Sequence, residues 1–141
     1  MATVPEVRKQ LLAWTSDVDE PVEVLSGEVL SVRHGSARLF ISCDETDDGT
    51  TLVDLRSLVL LNVPPSDELY RTVAEASFRF GSLEAVLNDS HLVDLWLTHT
   101  LLGDHLDPDG FALAVVLLAR TADDVDDQLK SRFGGQRFHE S

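Results

Sequence analysis

Four aspartates fall within five positions of the stretch "TADDVDDQLKSRFGG" (121–135), directly behind the apolar run "FALAVVLLA" (111–119). Carboxylates at that density could bind a hard cation, form an acidic docking surface, or wet one side of a helix. Each helical residue turns ~100°, so with Asp123 at zero, Asp127 lies near ~40°, Asp124 near ~100°, Asp126 near about −60° and Lys130 near about −20°. Opposite them, between roughly 180° and roughly 280°, fall Phe111, Ala114, Val115, Leu118, Ala122, Val125, Leu129 and Phe133, an uninterrupted core stripe. A calcium site needs about six oxygens or more converging from a folded loop. These carboxylates fan out instead, so the expectation is a solvated helix face and no metal site.

The other reactive side chains are as sparse. His91 and His99 share a predicted strand, but eight residues separate them by about 26 Å, too far to hold one ion. "HTLLGDH" (99–105) could gather His99, Asp104 and His105 around Gly103, yet no activated nucleophile or general base accompanies them. The lone Cys43 lacks a histidine partner and cannot form an internal disulfide, which fits a reducing cytoplasm. "FRFGS" and "FGGQ" have neither the spacing nor the lysine of a phosphate-cradling loop. No catalytic residue, cofactor site or metal ligand is expected, and the protein reads as a non-enzyme.

Charge narrows the partners. The net charge is −14 over 141 residues, with no basic cluster. A field of that sign repels phosphate backbones and anionic membranes, so neither nucleic acid nor membrane is an expected partner. "FRF" (78–80) with Trp96 could suggest a base-stacking sheet, but the acidic field argues against it. No apolar run is long enough to span a bilayer, and no signal peptide is expected.

The elements that carry these residues follow from periodicity. Val4, Val7, Leu11, Trp14 and Val18 recur at helical spacing, with Pro5 in the first turn and Pro21 closing the segment. "VEVLSGEVLSV" (22–32) reads as a strand with an irregularity at Gly27, and "GSARLFISC" follows a turn at His34-Gly35. After the turn "ETDDGT" (45–50), "TLVDLRSLVLLNV" alternates, with Val53, Leu55, Val59 and Leu61 on one face and Asp54 and Arg56 on the other. "PPSDEL" stops that strand and starts a helix with Ser66 as N-cap. Strands over roughly 78–87 and 91–102 flank the turn "LNDSH", and Asp107-Pro108 opens a long helix that ends at Gly134-Gly135. The expected order is α-β-β-β-α-β-β-α in a single domain, residues 1–141. It is an α+β fold with helices packed mainly on one face of an antiparallel sheet.

The last helix carries one more signal. Leu113, Val116 and Leu117 occupy the directions that Asp123, Asp124 and Asp127 take further along. Residues 111–119 are therefore apolar almost all round, and such a segment must be covered on two sides. One cover is the sheet; the other is the N-terminal helix, a second copy or a bound peptide.

The ending "ARTADDVDDQLKSRFGG" (119–135) resembles the C-terminal helix of YbjN-like domains of actinobacterial type, with their "TAD…DD.L…FGG" pattern, and the element order resembles the CesT-like type III secretion chaperone fold. The resemblance implies a non-enzymatic, chaperone-like or adaptor module that dimerises and holds a polypeptide client by strand addition or in a groove. A structural or regulatory dimer without a client is the alternative, with a small-molecule sensor behind it. Leu113, Val116, Leu117 and Trp96 are the expected partner or dimer interface.

Overall fold

The computed structural model describes residues 2–14, 22–24, 29–34, 37–78 and 80–136. Helix α1 (Val4–Trp14) buries Val7 and Leu11, with Val4 and Trp14 packed at the edge of the core. Val18 and Pro21, read with this helix, lie outside the described residues. Its start is tied down from a distance: the Ala2 amide donates to the Asp104 carboxylate, and the Thr51 hydroxyl donates to the Ala2 carbonyl at 2.8 Å.

Six antiparallel strands follow: β1 (Val22–Val24), β2 (Leu30–His34), β3 (Ala37–Glu45), β4 (Thr51–Val63), β5 (Ser82–Leu87) and β6 (Val93–Leu102). Their order across the sheet is β1-β2-β3-β4-β6-β5. Helix α2 (Asp67–Glu75) links β4 to β5, and α3 (Pro108–Phe133) ends the fold. The α+β class and the antiparallel sheet are as expected. The stretch 22–32 differs, because Val24 pairs with Leu30 and Val22 with Val32, so the chain reverses where one irregular strand was expected.

Alternation along β3 and β6 puts Leu39, Ile41, Cys43, Val93, Leu95 and Leu97 on one buried face. Helix α3 lies across β2, β3, β4 and β6 on that side, and α1 packs beside it on β3. Trp14 reaches Phe111 with ring centroids 6.3 Å apart. In β4 the alternation holds through Ser57 and then breaks, with register shifts against β6 between Leu58 and Leu60 and between Leu60 and Val63. Bulges of this kind insert residues and turn side chains over. Leu60 therefore enters the core, while Leu61, expected inside, is only half-buried and exchanges backbone hydrogen bonds with Gln136.

Capping follows local chemistry. The Ser66 hydroxyl accepts from the Leu69 amide at 3.1 Å, and the Asp107 carboxylate accepts from the Gly110 amide at 2.7 Å. Strand β5 starts at Ser82 rather than Phe78, because Gly81 sits at φ +89 with no room for a Cβ: that atom would lie 2.8 Å from a Leu118 methyl.

Candidate polypeptide-binding surfaces

The long helix α3 buries Phe111, Ala114, Val115, Leu118, Ala119, Ala122, Val125 and Leu129 against the sheet. On its other side Leu113 is 58% exposed, and Val116 and Leu117 are half-buried. Helix α1 covers Phe111 through Trp14 but leaves Leu113 in solvent, so three apolar side chains share a patch of about two turns.

Beyond the patch the helix becomes acidic. Asp124 and Asp127 are exposed and Asp123 is half-buried, but Asp126 is only 4% exposed, which corrects its placement on the solvent side. The angular reading puts Asp126 about 20° past the edge of the apolar stripe, and the packed groove reaches further round than the apolar residues do. Among the described residues no three His, Cys, Asp or Glu side chains form a group able to hold a metal ion. Removing divalent cations is therefore expected to leave the melting temperature within about 1 °C, checked by thermal unfolding in a chelator. A larger drop, reversed by one particular cation, would reveal a structural site.

Histidines and the cysteine are likewise dispersed. His91 lies in the β5–β6 turn at φ +61, away from the strand it was assigned to. His99 stacks on Phe80 at 3.9 Å between centroids, and burial lowers its pKa. Burial pushes the Cys43 thiol up, partly offset by the nearby Arg8 guanidinium, so its thiolate is disfavoured.

Trp96 is not part of the α3 patch. In antiparallel register it sits opposite Leu58 and Glu84, on the sheet face turned away from α1 and α3. That face carries a cluster which the sequence reading did not single out. The Phe40 and Trp96 rings meet edge to face at 6.1 Å between centroids. The Arg56 guanidinium lies 4.5 Å over Trp96 and the Arg38 guanidinium 5.7 Å from the Phe40 centroid. Arg56 also approaches Glu84 at 3.8 Å. Alternation in "RLFIS" and "VDLRSL" already sets Phe40 and Arg56 outward, but only the register brings them beside Trp96. The four residues expected as one interface thus divide between two opposite sides of the molecule.

Clefts and a sheet edge add to this surface. A cleft of about 410 Å³ between α1 and the β2–β3 end is lined by Pro5, Arg8, Lys9, Leu11, Leu12, Leu30 and Ile41. Another of about 320 Å³ lies between α2, β5 and α3, with Phe78, Leu83, Val125 and Leu129 among its walls. Among the described residues strand β5 is an outer edge of the sheet, and its Val86 and Leu87 are 36% and 59% exposed. Exposed apolar side chains on an outer edge suit the addition of an extended segment.

Residues 7–141 match the family described as "T3SS (YopN, CesT) and YbjN peptide-binding chaperone 1". Among solved structures the chain is similar to the crystal structure of YbjN, a proposed transcription regulator from E. coli. The TM-score is 0.63 at 16% identity, over 94% of this chain and 97% of that one. At that identity the likeness is one of fold. No curated protein sequence gives a significant match.

Proposed function

Because the chain belongs to the family of type III secretion and YbjN peptide-binding chaperones, we propose that it is a chaperone-like module that holds a polypeptide client and works as a homodimer. The observation that carries the reading is the α3 patch: Leu113 is 58% exposed between half-buried Val116 and Leu117, on a helix already packed on its other side. An apolar patch on an amphipathic helix, uncovered by α1 and bordered by acids, is the surface an apolar client segment desolvates. The outer edge of β5 adds a second recognition mode, in which main-chain hydrogen bonds supply affinity with little demand on client sequence.

Fold likeness to a proposed transcription regulator raises nucleic acid as the competing partner. Net charge opposes it: 25 acidic against 11 basic residues leave a repulsive field around any phosphate backbone. One titration separates the two readings. A labelled, permanently unfolded polypeptide is expected to bind with micromolar affinity at ~150 mM salt, while single- and double-stranded oligonucleotides show no binding under the same conditions. Oligonucleotide binding without polypeptide binding would reverse the assignment.

A further inference from the structure

Leu61 stands in a gap between the two ladders of β4. The ladder with β3 ends at the Leu39–Ser57 pair, and the ladder with β6 passes from Leu60–Leu95 to Val63–Val93, so Leu61 pairs with neither strand. Its amide donates to the Gln136 carbonyl at 2.6 Å, and the Gln136 amide donates to the Leu61 carbonyl at 2.8 Å. That exchange is an antiparallel β-pair, made by the segment that leaves α3. The chain thus adds a piece of itself to the end of β4, in the manner by which a sheet takes up an extended peptide.

Both sides of this contact are held without it. On the sheet side, Asn62 at φ +57 donates its amide to the Asp94 carboxylate at 3.1 Å. The Asn88 side-chain amide donates to Asn62 Oδ1 at 2.9 Å and to the Asp94 carboxylate at 3.0 Å. Side chains from β6 and the β5–β6 turn therefore fix the β4 bulge, and Leu61 keeps its direction when the segment leaves. On the helix side, the Arg132 guanidinium donates to Glu68 at 3.1 Å and to the Thr72 hydroxyl at 3.3 Å. The Gly134 amide closes the last turn onto the Lys130 carbonyl at 2.9 Å. Helix α3 is thus anchored ahead of Gly134, and no described atom lies within 4 Å of the Gly134 Cβ position, which suits it to a hinge. The next residue sets selectivity. A Cβ at Gly135 would lie 2.8 Å from the Leu61 carbonyl oxygen and from a Val63 methyl, so a strand seated here needs glycine beside its bridging residue.

We infer that the end of β4 is a strand-addition site for an extended, glycine-containing stretch of client, and that the Gly135-Gln136 segment is its resident, autoinhibitory occupant. Resting on the client-holding reading, this assigns the client a place apart from the α3 patch and gives the protein a gate over it. The client replaces the two main-chain hydrogen bonds that the segment gives up, on a bulge already set to receive them. In the free protein the segment covers a strand end that would otherwise pair with stray chains. Apparent affinity is reduced by the fraction of time the site is open.

Two full-length variants put the segment in opposite states. Leu61→Cys with Gln136→Cys locks it, because the Cα atoms of such a pair lie ~5.5 Å apart, within disulfide range. Gln136→Pro releases it, because proline lacks the amide hydrogen and its ring meets the Leu61 carbonyl. Hydrogen exchange at the Leu61 amide should be at least about tenfold faster in Gln136→Pro, with the helical circular dichroism intact. The labelled unfolded polypeptide should bind Gln136→Pro about tenfold more tightly than wild type. The oxidised cysteine pair should bind it at least about threefold more weakly, and reduction should restore wild-type capture to within about twofold. Replacing the glycines of the polypeptide by alanine should abolish the gain in Gln136→Pro. Equal capture by the locked and released forms, or a gain that survives loss of glycine, overturns the assignment while leaving the client-holding reading in place. Unchanged exchange at Leu61 in Gln136→Pro overturns the docking of the segment. A rise in mass in Gln136→Pro without tighter capture gives the site to the segment of a second copy and overturns the client as its occupant. No capture by wild type or by either variant overturns the client-holding reading, and the gate with it.

Discussion

Gly135→Ala is expected to be strongly destabilising, costing about 2–4 kcal/mol and lowering the melting temperature by roughly 6–15 °C. Gly135 lies at φ +84, and a Cβ there would stand 2.8 Å from both the Leu61 carbonyl oxygen and a Val63 methyl. The chain cannot shift to make room, because the next residue is pinned: Leu61 donates to the Gln136 carbonyl at 2.6 Å, and Gln136 donates back at 2.8 Å. Gly134 provides the internal control. It also has positive φ, at +76, yet no atom lies within 4 Å of its Cβ position. Alanine at 134 therefore incurs backbone strain alone, about 1–3 kcal/mol. Thermal and urea unfolding of the two variants should rank 135 well below 134. Equal melting temperatures, or a harmless Gly135→Ala, would mean that the segment after α3 is not docked on β4. The ranking also gives the "FGG" ending of the resemblance a physical reason, since the first glycine ends the helix and the second lets the chain cross β4 at contact distance.

The second large effect concerns the helix patch. Replacing Val116 and Leu117 together by glutamate should leave a folded protein of unchanged mass whose capture of unfolded polypeptide falls at least a hundredfold. Both side chains are half-buried in the free protein, so the charges can turn toward solvent at a stability cost of about 1–2 kcal/mol. Under a bound client they cannot, and desolvating an unpaired carboxylate at the centre of an interface costs several kcal/mol. Circular dichroism, light scattering and the binding titration read the three quantities separately. Loss of helical signal would place the patch in the core. Mass reduced to the monomer's, with the helix retained, would make α3 the surface of self-association. Capture unchanged in a folded protein would shift the client to the β5 edge, where Val86 and Leu87 stand exposed.

Much of this architecture is written in local chemistry. Ser66 and Asp107 cap their helices because a short oxygen-bearing side chain ahead of an apolar period satisfies the first free amides, and both caps are where the sequence places them. The core stripe from Phe111 to Leu129 follows from the 3.6-residue period alone, and Val53 and Leu55 from the two-residue period. Leu113, Val116 and Leu117 were legible for the same reason: too many consecutive directions of one helix are apolar. What tertiary structure decided depends on partners far away in the chain. Leu60 rather than Leu61 enters the core because β4 slips against β6 some 35 residues later, a slip that no alternation within β4 encodes. Asp126 is buried because the groove that receives α3 is wider than the helix's apolar arc. Trp96 parts company with the α3 patch because β6 lies between β4 and β5, so its outward side chains meet Arg56 and Phe40 from strands that precede α2. A cap acts within about one helical turn, whereas a cross-strand neighbour is set by the register of whole strands, and that register exists only once the sheet has formed.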